Sequence, residues 1–336
     1  MDEPVKLDFE ALTDLRTPWC LHVVVTLRIA EQVAAGRTAI ADLAEATGCD
    51  ADALACVLGH LTTKGVFAEP EPGRVALTDA AQWLLEPSAS FLDLSGIGGR
   101  MAHSWSTLLT YVMTGRPAYH EIFGRPFWED LAANPGVAAS FDALMGPAGH
   151  GSPDPRLELT GGWEGVRAVV DVGGGTGAFL AELLRARPAL AGTLVDLPGT
   201  VARAVETFTA AGVADRVTLA GQSFFDPLPA GADLYLLNKV LNDWPDGETT
   251  AILRRCAEAA RPGGGRIVIM GGVSPDGVPR RLTPEMVLVG GRTSTVTEFT
   301  ELARRAGLRV VAAGHQPGGH APGGRFVVEC RPEPAA

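Results

Sequence analysis

The chain changes its hydrophobic period near Gly162. Beyond that point short apolar runs alternate with amphipathic stretches. AVVDV (168–172), GTLVDLP (192–198), VTLAG (217–221), ADLYLLNKVL (232–241) and RIVIMGG (266–272) are compact apolar runs bounded by turn residues, and they read as strands. Between them AFLAELLRARP, TVARAVETFTAAG, residues 248–260 and TVTEFTELARRAG (295–307) carry apolar side chains at helical spacing. LRVVAAGHQ and RFVVECR follow as closing strands. Strand–helix alternation with apolar strands predicts an α/β, doubly wound parallel sheet.

The pattern before Gly162 is mainly helical. Residues 10–36 read as one helix with an apolar face (Leu21, Val24, Val25, Ile29, Val33) stopped by Gly36. Thr38 is placed to cap IADLAEATG, and Asp50 to cap ADALACVLGHLTTKG. VFAEPEPGRVALTD then reads as two short strands around a Pro/Gly turn. Three helices and a hairpin are the plan of a winged helix. Residues 88–150 are helical and rich in large side chains, and GHGSPDPRLE (149–158) reads as a joining loop. The expected division is a first domain over 1–100, a helical connector over 101–158 and the α/β domain over 159–336.

Composition narrows this picture. The 336 residues are 46% hydrophobic and 20% charged, which supports a real core in each domain and excludes a disordered chain. The net charge of −11 disfavours nucleic acid and anionic membrane surfaces as partners. A winged helix invites a DNA-binding reading, but Thr38–Pro70 holds five acids and one lysine, Lys64. A phosphate reader needs several basic residues on that face, so a helical packing or dimerisation domain is favoured. The five cysteines are widely spaced, with no C-x-x-C pair, disulfide framework or metal-ligand spacing. MDEPVKLDFE lacks the basic-then-apolar layout of an export signal, and Cys20–Ala35 is too charged to span a bilayer. A cytoplasmic location is expected.

The chemistry concentrates after the first strand of the α/β half. Asp171-Val172-Gly173-Gly174-Gly175-Thr176-Gly177 leaves that strand and opens a helix, and Asp196 ends the next strand. Glycines let the backbone turn tightly and approach a ligand, and an acid there meets ribose hydroxyls, so an adenosine-type cofactor is indicated. The G-G-G-T-G-A run also fits a dinucleotide fingerprint. Three features favour S-adenosylmethionine (SAM). Asp171 lies just ahead of the glycines and suits a cationic amino end better than a pyrophosphate. GQSFFDPLP (221–229) sets an aromatic beside the adenine position, and strand four runs into NKVLNDWPD (238–246). Large residues of the helical connector, including Trp105, Leu109, Met113 and Phe141, are either core or the wall of an apolar ligand pocket.

Taken in order, FWEDLAANPGVAASFDALM (127–145), DVGGGTG, LVDLPG, FFDPLP, VLNDWPD, RPGG and the GGR…T…EF…LA..AGL tail resemble the small-molecule O-methyltransferases of the caffeic-acid type. Actinomycete enzymes that methylate aromatic polyketides such as carminomycin belong to that group. The resemblance covers nearly the whole chain. It implies a class I methyltransferase Rossmann-like domain, an N-terminal winged-helix dimerisation domain that makes a homodimer, and SAM as cofactor. It implies that Gly173, Gly175 and Asp196, with Asp171 and Leu197 beside them, hold the methionine end and ribose. Phe224 packs on the adenine, Ser223 stands at the adenine-proximal position where the family commonly has an acid, and Met145 and Asn238 touch the cofactor. Trp244 and Asp243 close the substrate side, with Trp105, Leu109, Met113, Phe141 and Met286 as further substrate-binding residues.

Two departures bear on mechanism. The plant-type family has a catalytic histidine where this chain has Asn242, and an acid that orients it where this chain has Thr293. A neutral amide has no useful pKa for taking a proton. Either transfer runs mainly by positioning, with Asn242 orienting a phenolic acceptor, or the base is another residue, with His103 and His150 as candidates. Asn242 is otherwise a loop or cap amide. Alternatives to O-methylation are N- or C-methylation, non-methylating chemistry around bound SAM, a ligand-sensing regulator and a nicotinamide-dependent oxidoreductase.

Overall fold

The computed structural model describes residues 7–146, 153–317 and 324–334, and it forms two compact units, Met1–His103 and Ser104–Ala336. In the first unit, helices Arg16–Thr26, Ile29–Ala34, Ile40–Thr47 and Ala51–Thr63 precede an antiparallel hairpin of β1 (Phe67–Glu71) and β2 (Arg74–Leu77). Val24, Ile29, Leu43, Leu54, Leu58, Leu61, Phe67 and Val75 form its core. Asp50 caps its helix as expected, accepting from the Ala53 amide at 2.8 Å.

Two expectations fail locally. The helix expected over 10–36 is broken twice. Asp14 Oδ1 accepts from the Arg16 and Thr17 amides and starts a new helix there. Arg28 turns left-handed, with φ 53°, just after Thr26, whose hydroxyl donates to the His22 carbonyl and accepts from the Leu94 amide. Thr38 does not cap the following helix. Its hydroxyl accepts from Arg74 at 2.6 Å and its carbonyl from the Val75 amide, so the hairpin has claimed it. Leu7, Phe9, Leu12 and Leu15 are exposed, an apolar density that suits an association surface.

The second unit holds the sheet. Strands β3 (Ala168–Val172), β4 (Ala191–Asp196), β5 (Val217–Gly221), β6 (Leu234–Asn238) and β7 (Arg266–Met270) are parallel. β8 (Val273–Ser274) and β9 (Ser294–Thr295) pair separately, while β10 (Leu308–Gln316) and β11 (Arg325–Pro332) close the main sheet antiparallel. The order is β10-β11-β7-β6-β3-β4-β5. The chain therefore reverses direction across the sheet between β3 and β6, the switch point at which such sheets bind ligands. Helices Ala178–Ala186 and Pro198–Ala210 pack on one face around Leu180, Leu183, Leu194 and Phe208. Helices Asp246–Ala260 and Val296–Arg305 pack on the other around Tyr235, Ile252, Ile267 and Phe299. The connector segment from 104 onward supplies the helices Leu108–Thr114, Tyr119–Phe123, Phe127–Ala133 and Pro135–Met145 within this same unit.

Arg216 ties the turn after the Ala178–Ala186 helix to the start of β4. Its guanidinium donates to the carbonyls of Leu184, Arg187, Pro188 and Leu190 at 2.9–3.2 Å. Leu184 and Arg187 also accept from the Arg187 and Leu190 amides, and only the planar fork of arginine reaches all four carbonyls together. Arg216→Lys should therefore lower unfolding free energy by about 1–3 kcal/mol in a urea titration. An unchanged midpoint would mean that water satisfies these carbonyls equally well.

Candidate active site

The Gly-rich turn sits at the end of β3, pinned to the neighbouring strand. The Gly173 amide donates to the Val195 carbonyl at 2.8 Å, and the Gly175 amide to Asp196 Oδ2 at 2.8 Å. The Leu197 amide donates to Asp196 Oδ1 at 2.7 Å. Asp196 is thus held by two backbone donors and keeps lone pairs for a ligand. Burial raises its pKa, while the Gly175 and Leu197 amides oppose the rise.

Asp171 lies beneath the same turn. A β-carbon at Gly174 would stand 2.5 Å from Asp171 Oδ2, so only glycine lets the turn close over this carboxyl. Asp171 is buried, and neither carboxyl oxygen has a hydrogen-bond partner among the described residues. Burial pushes it up to about 7, with the Asp196 charge adding to the shift. An orphaned buried acid needs a donor or a cation. The ammonium end of SAM is such a group, and the paired Asp196 suits its ribose, so these residues fit the cofactor.

An aromatic wall runs away from the turn. The Phe224 ring lies 3.3 Å from the β-carbon position of Gly173, beside Val240. Phe224 and Phe225 meet Trp244 edge-on at 5.7 and 5.0 Å. Trp244 stacks on Trp128 at 5.7 Å, and Trp128 meets Phe141 edge-on at 5.9 Å. Ser223 is engaged locally, accepting from the Phe225 amide at 3.2 Å. Asn238 ends β6, opposite Met270.

The Asn242–Asp243 turn is buried against backbone: a β-carbon at Gly291 would lie 2.1 Å from the Asn242 carbonyl oxygen. Asn242 Nδ2 donates to Asp243 Oδ1 at 2.8 Å, while Asn242 Oδ1 is buried without a partner among the described residues. Burial, then the charge of Glu285, push Asp243 up to about 8. Helix Pro284–Leu288, which carries Met286, packs against this turn and against helix Leu108–Thr114. Leu109 and Met113 on that helix are exposed, as are Met145 and Trp105. His103 belongs to the first unit, 5.0 Å from the Trp19 ring, and His150 lies outside the described residues. The structure therefore gathers Asp171, Gly173, Gly175, Asp196, Leu197 and Phe224 at one end of a wall, and Trp244, Asn242 and Asp243 at the other. Sequence reading missed Trp128, Val240 and Glu285. The Gly271–Gly272 and Gly290–Gly291 doublets were the available sign that backbone packs closely there.

Comparison with known proteins places the chain in a family. Residues 105–309 match the O-methyltransferase domain profile, and residues 9–87 match the O-methyltransferase dimerisation domain. The chain is 39% identical to 2,7-dihydroxy-5-methyl-1-naphthoate 7-O-methyltransferase of Streptomyces carzinostaticus, over 91% of this chain and 94% of that one. It is also 39% identical to the aclacinomycin 10-hydroxylase RdmB of Streptomyces purpurascens, over 92% of this chain and 87% of that one. The crystal structure of NcsB1, an O-methyltransferase from neocarzinostatin biosynthesis in complex with SAM and 2-hydroxy-5-methyl naphthoic acid, superposes with a TM-score of 0.85 at 36% identity. That match covers 98% of this chain and 99% of the other. No helix among the described residues is long and apolar enough to cross a membrane.

The orphaned acid predicts how the ligand-free protein responds to pH. Between its unfolded value of 3.8 and about 7, Asp171 keeps its proton when folded and loses it when unfolded. Rising pH therefore favours unfolding across that window, and this group adds nothing further above it. Asp171→Asn should remove a loss of about 2–4 kcal/mol between pH 5 and pH 8. Guanidinium unfolding of both proteins at the two pH values measures it, and an unchanged slope in the variant would contradict the assignment. With the paired acids at the switch point, the dimerisation domain ahead of them and both profiles matched, the chain belongs to the SAM-dependent O-methyltransferases and carries their homodimerising N-terminal domain.

Proposed function

We propose that this enzyme methylates a phenolic hydroxyl of a fused-ring aromatic natural product of polyketide type, and that it does so by positioning rather than by a histidine base. The observation that carries the reading is the buried, unpaired Asn242 Oδ1 at the far end of the aromatic wall that starts at the cofactor turn.

SAM, when bound, supplies an electrophilic methyl on a sulfonium. Asp171 holds its ammonium end, Gly173 and Gly175 supply backbone close to it, and Asp196 holds the ribose hydroxyls, with Leu197 fixing that acid. Phe224 packs on the adenine, and Ser223, Asn238 and Met145 border it. Trp244 offers an acceptor ring an apolar face, and Trp128 and Phe141 stiffen that face from behind. Trp105, Leu109, Met113 and Met286 wall the acceptor side.

Asp243 Oδ1 takes the Asn242 Nδ2 hydrogen bond, which leaves Asn242 Oδ1 as the acceptor for the substrate hydroxyl. The amide orients that oxygen and takes no proton. An acidic phenol ionises without a dedicated base, and alignment alone supplies several kcal/mol. Base catalysis is worth about 10²–10⁴-fold, so its absence is affordable. The naphthoate acceptor of one relative and the fused rings of the naphthoic acid bound to NcsB1 support a polycyclic acceptor. Free cysteines throughout support a reducing, cytoplasmic setting.

A second reading follows from the relative named a hydroxylase, which shows that a similar chain carries a different activity name. Incubation with SAM and a panel of polycyclic phenols separates the two. S-adenosylhomocysteine (SAH) together with a product heavier by one CH₂ supports methyl transfer. Intact SAM with a product heavier by one oxygen overturns it. Asn242→Ala should lower kcat by about 10-fold, the scale of one hydrogen bond. A loss beyond about 10³-fold would mean that Asn242 takes part in proton transfer.

A further inference from the structure

Two cations at the ligand edge of the sheet form no ion pair among the described residues. Lys239 directly follows β6 and adopts φ 57°, a left-handed conformation that a side-chain-bearing residue keeps only where its surroundings impose it. Its amide donates to the Met270 carbonyl at 2.6 Å, and its side chain runs beside Gly271. Arg325 opens β11. Its Nη1 donates to Met270 Sδ at 3.4 Å and its Nη2 to the Asp154 carbonyl at 2.6 Å. Both residues therefore grip Met270, one by its carbonyl and the other by its sulfur. Arg325 Nε is buried with no partner among the described residues, and a thioether is a weak acceptor for a guanidinium.

The surroundings neutralise this pair only in part: the Asp154 charge supports the Arg325 cation, and the Arg156 charge opposes it. Lys239 forms no ion pair among the described residues. Burial lowers its pKa, and the charge of Arg325 lowers it further. The nearby carboxylate, Asp154, is spent on Arg156 through Nε at 2.9 and 3.0 Å and Nη2 at 2.5 Å. The flanking stretches 147–152 and 318–323 contain no acidic residue. A water would satisfy Nε but not the charge. In a chain of net charge −11, an exposed lysine next to a part-buried arginine whose Nε has no partner among the described residues marks a place suited to an anion.

Their position identifies its class. Lys239 adjoins Asn238 and Val240, and a Val240 methyl lies 2.9 Å from the β-carbon position of Gly173. The Arg325 guanidinium lies 5.6 Å from the ring of Phe179, the second residue of the helix opened by the Gly-rich turn. Lys239 thus follows the strand that borders the β3–β6 switch point, and Arg325 reaches the helix that the Gly-rich turn opens.

We propose that Lys239 and Arg325 form an anion site at the β3–β6 switch point that receives a carboxylate. Proximity to the turn favours the amino-acid end of the cofactor over a carboxylate borne by the acceptor. The inference rests on the cofactor assignment above.

Calorimetric binding of SAH and of its decarboxylated analogue, 5′-deoxy-5′-(3-aminopropylthio)adenosine, tests it in the full-length dimer. Lys239→Met and Arg325→Gln should each weaken SAH by about 10- to 100-fold and leave the analogue within about 2-fold. Lys239→Arg should retain SAH binding, and the ligand-free Lys239→Met protein should melt no lower than the parent, since a repulsion has been removed. If the carboxylate comes from the acceptor, SAH binding survives and the variants lose discrimination between a naphthoic acid and the matching naphthol in the SAH complex. Equal losses for SAH and its analogue would assign a purely structural role and overturn the proposal. So would folded variants indifferent in both arms. An unsubstituted protein that binds neither SAH nor its analogue would overturn the cofactor assignment itself.

Discussion

A buried carboxyl without a hydrogen-bond partner among the described residues governs the arrangement of this molecule. Asp171 stands in the middle of a parallel sheet, paired on both sides, one residue before the strand ends. Desolvating it costs free energy that nothing in the protein returns. The glycine turn above it must remain free of side chains, the next strand must deliver Asp196 to hold that turn, and the helix beyond must start where the turn ends. The fold around it therefore carries a deficit that a cationic ligand relieves. Tight binding of such a ligand and marginal stability without it are two expressions of the same buried charge.

The parallel strands were legible in the sequence because each was a buried apolar run, and β3 and β5 matched to the residue. The Gly-rich turn and Asp196 were legible for a related reason: their chemistry is local. What escaped was non-local. The long first helix broke because Asp14 and Thr26 spend side-chain oxygens on backbone amides, one of them far downstream. Thr38 looked like a cap until the hairpin competed for its oxygens. Trp128 joined the site only because stacking on Trp244 brings distant segments together. Lys239 follows β6 and Arg325 opens β11, strands on either side of β7, and no spacing rule reports that.

The aromatic wall links two kinds of recognition. At one end Phe224 belongs to the surroundings of the glycine turn, and at the other Trp244 belongs to the Asn242 turn. Because Trp244 is held between Phe225 and Trp128, it cannot move without disturbing both. A packed interior transmits such displacements instead of absorbing them. On the proposed assignment, cofactor and acceptor share this mechanical element.

On the proposed mechanism, the amide at position 242 also bears on which hydroxyl reacts. An enzyme with a histidine base imposes its own choice by placing that base. With an amide in that place, the cost of ionisation stays with the acceptor, so the electronic structure of the ring system chooses among its hydroxyls as much as the pocket does. Neighbouring carbonyls or fused rings that stabilise a phenolate would mark the reacting oxygen. Chemoselectivity would then be partly a property inherited from the substrate, and earlier oxidations of the same scaffold would decide when it becomes competent for methylation.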